Sequence, residues 1–132
     1  MKCLDATVLV DLLREDPGAA AKVAELEAEG PLATTEANAF ELYFGIHLRP
    51  ERREVAERQA ASLLARLEVL PLDRAGAMRS GAIAADLRRR GQDIGFVDVL
   101  TAGIALSHGI TTVVTRNVGH FGRVRDLRVE SY

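Results

Sequence analysis

Asp5, Glu41, Asp98 and Asn117 are four oxygen-bearing side chains, remote from one another in the chain, each lying where an apolar stretch gives way to a turn or forms a helix. Carboxylate and carboxamide oxygens are the ligands that hard divalent cations such as Mg2+ and Mn2+ select. Asp5 closes the strand-like Lys2-Cys3-Leu4, and Asn117 follows the β-branched run 111–115. Asp98 opens a strongly apolar helix, and Glu41 sits among Phe40, Leu42, Tyr43 and Phe44. Each acid alone has a plainer reading. Asp5 suits a helix cap, and Asp98 in a first turn meets the helix dipole. Glu36 is a rival to Glu41 but reads better as a first-turn dipole complement. Together the three carboxylates would repel, and a cation between them would offset that repulsion. Such a centre supports metal-assisted hydrolysis of a phosphodiester.

The elements that must position these residues alternate between strand and helix. Residues 1–5 read as a strand, and Thr7 is expected to cap a helix bearing Val8, Leu9, Leu12 and Leu13 on one face. Asp16-Pro17-Gly18 breaks the chain, and an alanine- and glutamate-rich helix runs to residue 29, ended by Gly30-Pro31. A brief strand at 32–34 precedes a helix that Thr35 caps and that carries Glu41. An amphipathic helix covers 51–66, a strand 68–72, and a further helix 74–90. The loop 92–95 leads into a helix at 97–108 that Gly109 terminates. A strand at 111–115, an irregular stretch and a short strand near 127–130 complete the chain. This alternation, with no Asn-Gly hairpin signal, predicts an α/β domain with a mainly parallel sheet. Ligands of such sheets bind outside the carboxyl ends of the strands, where the four residues are expected to meet.

Bulk properties narrow the function classes. A chain of 132 residues fits one domain, 1–132, with a real core. Its 48% apolar and 27% charged residues are ordinary globular composition. No secretory signal pattern is legible and no run approaches bilayer-spanning length, so a cytoplasmic protein without membrane association is the expectation. The single cysteine, Cys3, excludes an internal disulfide and reads as a buried thiol. A net charge of −2 gives no global attraction to nucleic acid. All but two of the 17 cationic residues are arginine, however, and arginine grips phosphate in bidentate fashion.

Among the remaining residues, Arg116 stands next to the candidate centre as a phosphate contact, with a surface salt bridge as the alternative. Asp93 is an outer acid or a solvated loop residue. Arg88-Arg89-Arg90 complement a helix C-terminus, with RNA contact as the secondary reading. His47, His108 and His120 are too scattered for a histidine-rich centre, and His120 is expected to pack against the last strand. Ser80 and Ser107 lack acid–base partners for a nucleophile. A phosphotransferase built on Asp5 wants a second acid two positions on, where Thr7 stands. The faces around Leu12, Leu13, Tyr43 and Phe44 serve either the core or a partner.

The segments Leu4-Asp5-Ala6-Thr7-Val8-Leu9, Glu41-Leu42-Tyr43-Phe44-Gly45, Asp98 with Thr101-Ala102-Gly103-Ile104-Ala105, and Thr115-Arg116-Asn117 with His120-Phe121 resemble the PIN-domain ribonucleases, and more narrowly the VapC toxins. The resemblance spans essentially the whole chain in order. It implies a three-layer α/β/α sandwich and a Mg2+- or Mn2+-dependent endoribonuclease that cleaves RNA with metal-activated water. It also implies a homodimer neutralised by a cognate antitoxin. Asp5, Glu41 and Asp98 match the three principal acids of such sites. Asn117 matches a fourth position where many relatives have aspartate, which leaves one or two ions open. Ala6 replaces a hydroxyl residue often found there, and Thr7 is the residue that can supply the hydroxyl towards substrate. The alternative is a catalytically impaired PIN-like protein that binds RNA or a partner.

Overall fold

Side chains on successive strand residues point to opposite faces of a sheet, and here both faces are apolar. Cys3, Ala33 and Val113 pack on one side, whereas their neighbours Leu4, Leu32 and Val114 pack on the other. The computed structural model describes all residues, 1–132. Its strands are β1 (Lys2–Leu4), β2 (Leu32–Thr35), β3 (Glu68–Leu70), β4 (Thr112–Val114) and β5 (Arg128–Glu130). They form one sheet of order β3-β2-β1-β4-β5 in which every pairing is parallel. A parallel sheet buried on both faces needs continuous apolar strands rather than alternating ones, which explains Val113-Val114 and Cys3-Leu4.

Helices cover the two faces. On one side lie α1 (Ala6–Leu13), α2 (Pro17–Glu29), α3 (Glu36–His47) and α4 (Arg53–Ala65), which bury Val8, Val23, Leu42 and Leu63 with Leu4 and Val114. On the other lie α5 (Arg74–Arg89), α6 (Phe96–Ser107) and α7 (Val118–Phe121), burying Leu87, Ile104 and Phe121 with Cys3 and Val113. The result is the expected three-layer α/β/α sandwich. No helix is long and apolar enough to cross a membrane.

Several local expectations shift by a few residues, each for a visible reason. Asp5, not Thr7, caps α1: it has extended backbone angles and accepts hydrogen bonds from the amides of Thr7 and Val8. Thr35 caps α3 as read, through the amide of Asn38. The helix expected at 51–66 opens as a 3-10 turn at Pro50–Arg52. β3 stops at Leu70 because Pro71 has no amide hydrogen to donate. The stretch after Asn117, read as irregular, holds the short helix α7.

Helices α5 and α6 cross tightly at Ser80 and Gly103. A Cβ on Gly103 would lie 2.7 Å from the Ser80 backbone nitrogen and 2.8 Å from its Cα. No flexible side-chain end could yield enough space there. Gly103→Ala is therefore expected to lower stability by about 1–3 kcal/mol through overpacking, read as a reduced urea midpoint. An unchanged midpoint would mean that the two helices slide apart freely.

Candidate active site at the sheet switch point

Strand order reverses between β1 and β4, since β1 continues to β2 on one side and β4 to β5 on the other. In open parallel sheets the crevice at such a reversal, beyond the carboxyl ends of the strands, is where ligands bind. Asp5 leaves β1 at that point, and Thr115, Arg116 and Asn117 leave β4 beside it.

Asp5 is buried, and its carboxylate is held on both oxygens. Oδ1 accepts from the Thr7 hydroxyl at 2.6 Å and from the α1 amides, while Oδ2 accepts from the Thr115 hydroxyl at 2.6 Å. Thr115 Oγ1 in turn accepts from the Asn117 amide at 2.7 Å. Thr7 Oγ1 accepts from the Arg116 amide at 3.1 Å. The turn after β4 is thereby strapped to the start of α1.

A second buried group, Asn38, ties the two helices that carry the other acids. Its Oδ1 accepts from the Ala6 amide at 3.2 Å and from the Thr101 hydroxyl at 3.0 Å. Its Nδ2 donates to the Leu4 carbonyl at 3.2 Å and to the Thr34 hydroxyl at 3.3 Å. Asn38 stands three residues before Glu41 on α3, and Thr101 three residues after Asp98 on α6. Positions three apart share a helix face, so a single carboxamide orients α3 and α6 against the end of β1. Asparagine is a poor residue in a helix interior, and that mismatch within an apolar window is the signal that would have exposed it.

Asp98, mostly buried, is engaged by α7. Its Oδ2 lies 2.8 Å from His120 Nδ1 and 3.3 Å from Asn117 Nδ2. The Asn117 side-chain amide donates to that oxygen, and His120 Nδ1 donates to it in the tautomer that carries its proton there. The Asn117 carbonyl oxygen is then left free to act as a ligand. His120, expected to pack against the last strand, instead turns to the acid.

Glu41 is exposed on α3, yet it feels the other two acids. Desolvation, then the charges of Asp98 and Asp5, hold its carboxyl above the usual carboxylate range. Burial also pushes Asp5 upward, against the lowering effect of the Thr115 and Thr7 hydroxyls, with a further upward contribution from Asp98. The three acids thus form one electrostatic unit. They do not, by themselves, close into a compact cluster of three ligating side chains: Asp5 is held by hydroxyls and amides, Asp98 by His120 and Asn117, and Glu41 reaches outward. The donor set still suits a hard divalent ion, being oxygen-only and under like-charge repulsion.

Beyond this group, Arg116 pairs with Asp11, a buried acid on α1 that sequence reasoning missed; Nη2 lies 3.0 Å from Asp11 Oδ1. The Tyr132 hydroxyl donates to Asp11 Oδ2 at 2.7 Å. Burial first, then that hydrogen bond, pushes the Tyr132 phenol up to about 12, so it stays a donor at neutral pH. Asp93 pairs with Arg88 on the surface, 3.7 Å apart. Burial raises the Cys3 thiol to about 12 and keeps it inert.

A doubly flanked parallel sheet with a buried acid, Asp5, at its switch point is the architecture of a PIN-like α/β/α domain. The PIN domain family matches residues 2–127. The chain belongs to that family, and its relatives place it among the VapC proteins. It is 30% identical over 132 residues to the tRNA(fMet)-specific endonuclease VapC of Shigella flexneri, covering 98% of this chain and 96% of the relative. The DNA-bound VapBC of Salmonella typhimurium superimposes with a TM-score of 0.87 at 28% identity, over 98% of this chain and 96% of that one. VapBC-5 of Mycobacterium tuberculosis, a member of the VapBC family of toxin-antitoxin systems, shares the fold at 22% identity and a TM-score of 0.73, over 99% of this chain and 98% of that one.

Proposed function

We propose that this protein is a divalent-metal-dependent endoribonuclease of the VapC type, restrained by a cognate antitoxin. The observation that carries the reading is the placement of two fixed carboxylates beside the switch point: Asp5 is held by the Thr7 and Thr115 hydroxyls, and Asn117, which leaves β4 there, reaches Asp98 together with His120. Carboxylates that raise the proton affinity of a neighbour, as Asp98 does for Asp5 and both do for Glu41, suit a site that binds a cation. Asp5, Glu41, Asp98 and the Asn117 carbonyl are the residues that would hold Mg2+ or Mn2+. When bound, such an ion supplies Lewis acidity to water and to the scissile phosphate. The chain's own residues do the rest. Thr7 and Thr115 fix the Asp5 carboxylate, His120 and Asn117 fix Asp98, and Asn38 holds α3 and α6 in register. Thr7 and Arg116 line the approach for the RNA backbone, in a protein expected to work in the cytoplasm. Cleavage of RNA oligonucleotides by purified protein, lost in excess chelator and restored by Mn2+, tests the reading; chelator-insensitive cleavage overturns it.

The antitoxin reading has its own surface. A groove of about 500 Å3 between α1, α3 and the start of α4 is lined by Val10, Leu13, Leu42 and Ile46, and its charged wall carries three arginines, Arg14, Arg49 and Arg52, against one acid, Glu15. The occupant that matches is an antitoxin segment with apolar and acidic side chains, in keeping with VapBC assemblies among the structural neighbours. Phe40 and Phe44, stacked 6.3 Å apart and exposed on α3, offer further apolar surface for the antitoxin or for the second subunit of a homodimer.

One feature favours a second reading, a PIN-like protein that binds RNA or a partner without cleaving. Asn117 gives Asp98 an amide donor where a carboxylate would add charge. Asn117→Asp separates the two: a gain of tenfold or more in Mn2+ affinity and turnover, an order-of-magnitude expectation for one added ligand charge, would mark the natural protein as metal-poor.

A further inference from the structure

We propose that Asp11 is a positioning residue that holds the Arg116 guanidinium along α1, outward from the acidic site, as a fixed cation for an RNA phosphate. The proposal rests on the RNA-cleaving reading above. Arg116 is anchored at two places. Its amide donates to Thr7 Oγ1, the hydroxyl that also donates to Asp5, and its guanidinium donates to Asp11. Thr7 and Asp11 are four residues apart on α1, so they share one face about one helical turn apart. The arginine therefore lies along α1 from the edge of the acidic site outward, and its charge is held at a set distance from Asp5.

Two features distinguish this from a tie that only joins α1 to the turn after β4. The pair is lopsided: the Asp11 side chain is 6% exposed, whereas that of Arg116 is 55% exposed. Only Nη2 is engaged by Asp11, which leaves other guanidinium N–H groups facing solvent for a phosphate fork. Elsewhere the crevice is acidic, and a polyanion approaching it needs a local cation. A flexible arginine would lose rotamer freedom on gripping phosphate, whereas one already held loses little.

The test is binding of a fluorescein-labelled, mixed-sequence single-stranded RNA in excess chelator, which prevents cleavage, across a salt series. Arg116→Ala is expected to weaken affinity about tenfold and to lower the log–log salt slope by about 0.7, one phosphate contact. Asp11→Ala is expected to give most of the same loss, and the double variant no more than Arg116→Ala alone. Asp11→Asn and Tyr132→Phe keep the shape of the pocket; the first should lower the slope, and the second should leave it unchanged while costing thermal stability. An Asp11→Asn slope equal to that of the natural protein, or fully additive losses in the double variant, would overturn the proposal. If the natural protein cleaves RNA in a chelator-sensitive way while the Asp11 variants bind normally, the positioning role alone fails. If the natural protein neither binds nor cleaves RNA, both readings fall.

Discussion

Asp98→Asn is expected to abolish divalent-dependent RNA cleavage, by at least about 100-fold, while the protein remains folded. The magnitude follows from what removal of one preorganised electrostatic contact costs at other active sites, about 100- to 1,000-fold. Asparagine keeps the size of the side chain and can still accept from His120 and Asn117, so α7 has no reason to detach. It removes one of the charges that act on both Glu41 and Asp5. Asp5→Asn should be equally inactive but is the less clean variant, because Asp5 also caps α1 and accepts from Thr115. Initial rates on labelled RNA, with far-ultraviolet circular dichroism as the fold control, provide the measurement. Natural-like rates in both variants would reject the metal mechanism.

The second large effect is on stability. Asp5 and Glu41 both have carboxyls raised in the folded protein, by desolvation first and by neighbouring acids after it. Folded protein therefore binds their protons more tightly than unfolded chain does, and metal-free stability falls as pH rises through these raised values. A divalent cation replaces the protons and reverses the penalty. At about 100 times its dissociation constant it should add about 2.7 kcal/mol, or roughly 10 °C in Tm for a domain of this size. The gain should be larger at pH 8 than at pH 5, and it should vanish in Asp98→Asn. Without metal, Asp98→Asn and Glu41→Gln should melt no lower than the natural protein, since each relieves repulsion. Differential scanning fluorimetry with Mn2+ and with chelator reads all of these; a Tm indifferent to divalent ions at both pH values would contradict the assignment.

Much of the architecture was legible because short apolar, β-branched runs and helix punctuation are local signals. The turn at Asp16-Pro17-Gly18 and the cap at Thr35 needed no tertiary knowledge. The cap at Asp5 was displaced by two residues because Asp5 and Thr7 are both good cap formers, and only the backbone angles decide between them. α7 was missed because four residues leave no periodicity to detect. Of the site, the acids were legible as isolated carboxylates in apolar surroundings. Their partners were not: Thr115 reads as one more β-branched strand residue, Thr101 as a helix residue, and Asp11 carries no signal of its own on α1. The roles of these three arise from contacts over 63 to 110 positions of chain, which no local pattern encodes. His120 was read for its neighbour Phe121, and its actual partner lies 22 residues earlier.

The rivet at residue 38 constrains what this chain can tolerate. The Ala6 amide must find an acceptor, and Leu4 O takes a second hydrogen beside the one from the Thr34 hydroxyl, both from one short planar group. Aspartate supplies no donor, leucine neither function, and glutamine has an extra methylene with nowhere to fold. Each orphaned polar partner would cost about 1–3 kcal/mol in the interior. A side chain that never meets a nucleotide thus holds the two acid-bearing helices to the end of β1, and its loss reaches the site through them.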